Sequence, residues 1–192
     1  AMSCSLVGSE MCIRDSGYPI GPFQMFDLAG GDIGWANRKR KAATRDPKER
    51  YVEIADRLCE RGWFGQKTGR GFYLYEEGSR IGIEDPEVLD IIAGERSTKG
   101  IRAREYSSEE IIRRYLGAMV NEAAKVLEEK VARCPSDIDV VQHYGYGFPR
   151  YRGGPMKYAD MYGIRKIVED IEEFSVEAVS YTHLTLPTIL SV

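Results

Sequence analysis

One ten-residue pattern occurs twice in this chain, and it limits what the chain can fold into. Gly21-Pro22-Phe23-Gln24-Met25-Phe26-Asp27-Leu28-Ala29-Gly30 matches Gly154-Pro155-Met156-Lys157-Tyr158-Ala159-Asp160-Met161-Tyr162-Gly163. Both read Gly-Pro, four residues, Asp, two residues, Gly. Glycine allows a tight entry, proline suits the first helical turn, and the closing glycine stops the helix. The aromatic and Met side chains are expected to face inward. Each copy follows a Gly/Pro/aromatic loop, Gly17-Tyr18-Pro19 and Gly145 to Pro149. A pattern of this length, repeated, predicts a duplicated helical domain.

The rest of the chain reads as helical. Asp46-Pro47 opens a helix, with Tyr51, Val52, Ile54, Ala55, Leu58 and Cys59 at helical spacing and Gly62 as the stop. Asp85-Pro86 repeats that start ahead of Val88, Leu89, Ile91 and Ile92. Ser107 with Glu110 forms a capping box before the strongest helix, whose apolar face runs from Ile111 to Leu127. Ser136-Asp137 caps a short helix, and Ile164 to Phe174 reads as a last amphipathic one. Only Gly71 to Tyr75 is strand-like, between Gly69 and Gly78. Glu76 to Glu84 and Gly94 to Tyr106 are the linker candidates. The basic run of the second reads as a solvated connector.

Composition narrows the function classes. The 192 residues are 43% hydrophobic with a net charge of −3, enough apolar content for a core but no basic excess of the kind nucleic-acid binders carry. No apolar run reaches the ~18 residues of a membrane span. The expected partners therefore include no nucleic acid and no membrane span, and the expected location is cytoplasmic. Four Cys and two His are too scattered for a zinc site or a disulfide framework, so no metal site is expected. Cys59, on an apolar face, reads as a small buried hydrophobe.

Neither end shows helical or strand periodicity. Leu6 to Ser16 resembles the in-frame translation of a transposon-type sequencing adaptor, and Ser180 to Thr188 resembles the reverse complement of its partner. The expected organisation is a non-native adaptor-like tail at 1–16 and a truncated first domain at 17–78. A linker with a short helix follows at 79–106, then a second domain at 107–177 and another tail at 178–192. The first copy has only four residues, Gly17 to Ile20, ahead of its Gly-Pro, so exposed apolar surface and self-association are expected.

At these motifs the chain resembles a known family. Gly17 to Gly30, followed by Gly65-Gln66-Lys67-Thr68-Gly69-Arg70-Gly71-Phe72-Tyr73-Leu74-Tyr75, is similar to the C-terminal domain of 3-hydroxyacyl-CoA dehydrogenases. Met119 to Ala123, Pro135 to Asp139 and Gly147 to Met156 resemble a second, tandem copy, as in the multifunctional β-oxidation enzymes that join enoyl-CoA hydratase to dehydrogenase. The resemblance implies an all-α fold: two tandem 6-phosphogluconate-dehydrogenase-C-terminal-like helical domains, the first truncated, with one short extended segment near 71–75.

The resemblance also implies an activity for the parent, oxidation of a (3S)-3-hydroxyacyl-CoA to the 3-ketoacyl-CoA with NAD. The family's base, a His–Glu pair, lies on a dinucleotide-binding domain that also meets the acyl-CoA. No Gly-x-Gly-x-x-Gly after a strand occurs here. The position matching the family's positioning Asn holds Arg113 in the second copy, which implies a structural rather than a catalytic copy. No catalytic residue is therefore expected on this chain, which alone is expected to be inactive. One cofactor contact is carried over: Lys67 matches a lysine that in the family contacts NAD. Thr68 and Arg70 are weaker candidates. Asp27 and Asp160 read as helix-terminal hydrogen-bonding residues, Asn121 as a packing polar residue and His143 as a structural histidine. Arg150 and Arg152 suit docking against a neighbouring domain. A non-catalytic helical dimerisation or interaction module is the alternative reading.

Overall fold

The structure is a computed structural model that describes residues 6–45, 51–102 and 104–175. Among these, nine α-helices accompany one two-stranded sheet. The helices are α1 (Leu6–Asp15), α2 (Pro22–Ala29), α3 (Gly31–Ala42), α4 (Ile54–Glu60), α5 (Pro86–Thr98), α6 (Ser108–Glu128), α7 (Pro135–Tyr146), α8 (Pro155–Tyr162) and α9 (Ile164–Ser175). The strands are β1 (Tyr73–Tyr75) and β2 (Gly82–Glu84). The all-helical expectation holds. The chain divides into two compact units, Ala1–Met11 with Ile20–Glu105, and Cys12–Pro19 with Tyr106–Val192.

Each unit contains one copy of the repeat, and the copies build alike. Pro22 and Pro155 stand in the first turns of eight-residue helices, α2 and α8. Gly30 and Gly163 end them at φ of 90° and 100°, their N–H groups donating to Phe26 O and Ala159 O. A twelve-residue helix follows each glycine at once, α3 and α9. An acidic side chain from an earlier helix caps each Gly-Pro helix. Glu10 Oε1 accepts from Phe23 N at 2.5 Å and Gln24 N at 2.9 Å. Asp139 accepts from Met156 N at 2.8 Å and Lys157 N at 3.0 Å. These bonds satisfy amides that a helix start leaves without intrahelical partners.

In the first unit the core gathers Leu58, Phe72, Tyr73, Tyr75 and Val88, with Phe23, Phe26 and Trp63 packed around them. Asp85 caps α5 by accepting from Glu87 N at 3.0 Å. In the second unit Val120 and Ala124 of α6 pack on Ala159, Ile167 and Ile171. Ile13, Tyr18, Leu116 and Phe148 form a neighbouring cluster. Ser107 caps α6, its Oγ accepting from Glu110 N at 3.1 Å.

Several local expectations are corrected. Residues 6–15 form a helix where no periodic pattern predicts one, and Cys12 and Ile13 are buried. Asp46 and Pro47 lie outside the described residues; the helix they were expected to open begins at Ile54, with Tyr51 and Val52 ahead of it. α7 starts at Pro135 with Cys134 as its flanking residue, so Ser136 and Asp137 lie inside it. β2 falls within the polar stretch expected to be a linker and pairs antiparallel with β1, Tyr73 opposite Glu84 and Tyr75 opposite Gly82. A Cβ on Gly82 would come within 2.7 Å of Tyr73 Cβ, so the strand approach needs glycine there. α5 continues through Gly94 to Thr98. Met25 and Met161 point outward rather than into the core, 44% and 69% exposed.

Candidate functional site

The loop from Gly65 to Gly71 closes on itself. Gly65 N donates to Arg70 O at 2.8 Å and Arg70 N returns a bond to Gly65 O at 3.2 Å. Between them Gln66–Thr68 make a single 3-10 turn, ended by Gly69 at φ 71°. Thr68 Oγ1 lies 3.0 Å from both the Gly65 and Arg70 carbonyls and accepts from Phe64 N at 2.9 Å. Thr68 is therefore part of the loop's own framework.

Arg70 is also held within the fold. Its guanidinium makes a two-pronged contact with Asp85, Nε to Oδ2 at 2.7 Å and a terminal nitrogen to Oδ1 at 3.1 Å. It reaches Glu87 at 2.8 Å and lies 3.6 Å from the Trp63 ring centroid. The Asp85 carboxylate is 1% exposed, so this bidentate pair pins the loop to the start of α5.

Asp27 holds the other side of the loop. Its carboxylate accepts from Phe72 N at 2.9 Å, Tyr73 N at 3.0 Å and the Tyr75 hydroxyl at 2.9 Å, and it is 1% exposed. Burial pushes its carboxyl above the ordinary aspartate value, against these three donors, which lower it. A Cβ on Gly65 would lie 2.2 Å from Asp27 O, and one on Gly71 would lie 2.1 Å from Asp27 Oδ1. The two glycines let the loop close onto α2. The expectation of helix-terminal bonding at Asp27 is corrected: it serves the strand and loop amides instead. Asp160, its counterpart in α8, is exposed.

Lys67 projects from this fixed loop. Its ammonium pairs with Asp32 in the first turn of α3, and both side chains are about half exposed, 48% and 42%. The Lys67 contact is the first cause holding the Asp32 carboxyl below its ordinary value. Gly31 N donates to Phe64 O at 2.9 Å, tying the start of α3 to the start of the loop. Gly30 sits beneath the pair: a Cβ there would lie 3.0 Å from both Asp32 Oδ1 and Lys67 Nζ. Asp32 escapes motif reading because it follows the repeat in an unpatterned stretch, whereas Gly30 is read only as the stop of α2. The Gly30-Gly31-Asp32 tripeptide was the available signal.

On this loop Thr68 and Arg70 serve the scaffold, Arg70 also reaching the exposed Glu87, while Lys67 pairs with Asp32 at the surface. An ammonium has three donors and Asp32 occupies one direction. The arrangement suits contact with a phosphate or ribose oxygen, as a point charge on a flexible stem carried by a rigid loop.

The remaining candidates sit elsewhere. Arg113 pairs with Asp170 and reaches Glu173 at 3.1 Å, joining α6 to α9, and Tyr162 donates to Asp170 at 3.0 Å. Asn121 is buried in α6. His143 Nδ1 lies 3.2 Å from Phe148 O and its ring packs edge-on against Phe148, a structural setting. Arg150 lies over the Tyr144 ring and Arg152 over Tyr151 and Tyr158. Cys59 is buried, and burial raises its thiol above the ordinary value while Arg38 lowers it. No group of three or more His, Cys, Asp and Glu residues suited to a metal occurs among the described residues. No helix among them is long and apolar enough to cross a membrane.

Comparison with known proteins bears on the repeat and the family. The chain matches the family described as 3-hydroxyacyl-CoA dehydrogenase, C-terminal domain, over residues 10–75 and again over 111–189, one match to each copy of the repeat. It is 41% identical to a peroxisomal bifunctional enzyme of Danio rerio, over 94% of this chain and 26% of that protein. It is 38% identical to the peroxisomal bifunctional enzyme of Homo sapiens, over 86% of this chain and 24% of that protein. The chain thus spans about a quarter of the length of these curated relatives. Among solved structures, the dehydrogenase part of multifunctional enzyme 1 from C. elegans shares the fold, with a TM-score of 0.65 and 20% identity over 93% of this chain and 40% of that one. From its two matched segments, this chain belongs to the family of 3-hydroxyacyl-CoA dehydrogenase C-terminal domains.

Proposed function

We propose that the chain is the helical C-terminal part of an NAD-dependent 3-hydroxyacyl-CoA dehydrogenase of fatty-acid β-oxidation. The parent oxidises (3S)-3-hydroxyacyl-CoA to the 3-ketoacyl-CoA, and NAD, when bound, accepts the hydride. The carrying observation is the fixed loop that presents Lys67 beside Asp32. Its ammonium would contact a phosphate or ribose oxygen of the NAD held by a separate dinucleotide-binding domain, which also meets the acyl-CoA. The proton-abstracting base belongs to that domain, so this chain alone is inactive.

The second unit takes a structural part in this reading. Arg113, in its ion pair with Asp170, stands where the family resemblance places a positioning Asn. The relatives named above are peroxisomal enzymes, and we place the parent in that compartment rather than in the cytoplasm expected from composition. The expected domain ranges 17–78 and 107–177 are proposed as the two repeat-bearing domains, with α1 contributing Glu10 to the first and with β2 and α5 folded inside the range expected for the linker, 79–106. Leu28 and Ile33, 56% and 68% exposed, are the residues through which copies of the chain would associate.

The test pairs this chain with a dinucleotide-binding half of a bifunctional enzyme and follows NADH formation with 3-hydroxybutyryl-CoA. The chain alone gives none, and the assembled enzyme gives turnover. Lys67→Ala in that assembly weakens NAD binding about tenfold while leaving acyl-CoA binding within about twofold. Normal turnover by the chain alone, or an unchanged NAD dissociation constant in the variant, overturns the reading.

A further inference from the structure

Cations gather at the end of α3. Residues 38–50 carry seven Lys and Arg against two Asp and Glu, a net +5 on a chain whose net charge is −3. Arg38 is held inside the fold by Asp56 at 2.6 Å. Arg45 lies 3.4 Å from the Tyr51 ring centroid and donates to Arg38 O at 3.4 Å. Lys39, Arg40 and Lys41 are exposed. Lys39 lies over the Trp35 ring at 3.2 Å, and Arg40 reaches the amide oxygen of Asn37 at 3.0 Å. Arg70, Lys99, Arg113 and Lys125 each end on a carboxylate. Among the described residues no carboxylate pairs with Lys39, Arg40 or Lys41.

Consecutive helical residues point about 100° apart, so these three cations fan over the outer half of α3. A convex fan has no cleft to enclose a small anion. It fits an extended anionic surface whose charges can rearrange beneath it. The carbonyl end of the helix offsets part of the repulsion among the cations. Val52 follows Tyr51 and is 54% exposed, which adds an aliphatic side chain next to the Arg45–Tyr51 stack. The boundary of a bilayer accepts cations and aliphatic groups together. A nucleic acid would leave Val52 in water and would find no bare ring to stack on, since Lys39 covers Trp35 and Arg45 covers Tyr51. Arg40 lies about 12 Å along the helix from Asp32, so this surface leaves the Lys67 loop free.

We propose that the end of α3 docks the chain on an anionic lipid surface. Lys39, Arg40, Lys41 and Arg45 meet the headgroup phosphates, and Val52 enters the headgroup boundary. The contact is peripheral, electrostatic and independent of the reading of Lys67. Thr44 is exposed just ahead of Arg45, so a negative charge placed there works against docking.

The experiment sediments the full chain with vesicles of phosphatidylcholine alone and of phosphatidylcholine with about 30% phosphatidylserine, against a spin without vesicles. At about 50 mM salt the anionic vesicles carry the chain down and the neutral ones do not, and about 500 mM salt releases it. The double variant Arg40→Glu/Lys41→Glu weakens this partition by about tenfold or more. Arg165→Glu/Lys166→Glu makes the same change of net charge at exposed positions of α9 and stays within about twofold of wild type. Thr44→Glu, which removes no cation, weakens it about threefold. Should Arg40→Glu/Lys41→Glu fail to fold, Thr44→Glu and the salt series decide. No sedimentation of wild type above the vesicle-free spin, equal sedimentation with neutral vesicles, or an equal loss in the two double variants overturns the proposal. Half-saturation at a lower concentration of charge by polyglutamate or single-stranded DNA than by the anionic vesicles also overturns it, and assigns the cations to an acidic polypeptide or a nucleic acid.

Discussion

Glu10 stands to α2 as Asp139 stands to α8. Each carboxylate accepts from the amides of the first two residues after the proline, Phe23 and Gln24 in one case, Met156 and Lys157 in the other. Removing either leaves helix-start amides without acceptors. Asp139→Ala is expected to cost about 1 kcal/mol and Glu10→Ala a similar amount, with Asp139→Asn costing less. Urea unfolding of the three variants measures this. Wild-type stability in Asp139→Ala would show that the cap contributes nothing.

Asp27 is the larger structural liability. Asp27→Ala leaves two strand amides and the Tyr75 hydroxyl facing a buried void, and should destabilise the first unit by about 3 kcal/mol. Tyr75→Phe removes one of the three bonds and should cost about 1 kcal/mol. Burial raises the Asp27 carboxyl, so the folded chain holds this proton more tightly than the unfolded chain does. Its contribution to stability therefore grows as pH falls from the raised value toward 3.8. Unfolding monitored by near-ultraviolet dichroism across that range checks the direction.

Glu95 titrates in the opposite sense. Burial raises its carboxyl, but Lys99, Glu53 N and Arg57 together pull it below the ordinary 4.5. Its stabilisation is present above pH 4.5 and fades as pH falls through the lower folded value. Glu95→Gln should lose about 1–2 kcal/mol at neutral pH, and the gap to wild type should narrow in acid below pH 4.5. A constant gap at both pH values would refute this assignment.

Gly30 carries a prediction for the candidate site. Its φ of 90° strains any residue with a side chain, and a Cβ there would push on Lys67 Nζ and Asp32 Oδ1, each at 3.0 Å. Gly30→Ala should cost about 1–3 kcal/mol and displace the Lys67–Asp32 pair. Thermal unfolding reads the first effect. The second appears as an Asp32 titration moved back toward 3.8 by NMR.

The repeat and the Asp85 and Ser107 caps were legible because each rests on local chemistry, whereas the cap expected at Ser136-Asp137 falls inside α7. Proline, glycine and a Ser/Glu pair act within a turn, so Pro22, Gly163 and Ser107 could be placed from sequence alone. Lys67 was legible only through resemblance, since a glycine-flanked lysine alone is an ordinary surface residue. What escaped depends on distant partners. α3 lacks an apolar stripe; Arg38 on it bonds Asp56 at 2.6 Å. β2 has three residues, too few to display alternation, and exists because β1 pairs with it. Asp27 carries no mark in the sequence of the buried amides it serves.

The carboxylate that starts each Gly-Pro helix comes from another helix, so the motif asks little of its donor. Glutamate from α1 and aspartate from α7 do the same job despite unlike flanking sequences. The donor is in that sense an interchangeable part. Transplanting Gly21 to Gly30 into a foreign scaffold would succeed or fail on whether the host supplies one acid at that corner.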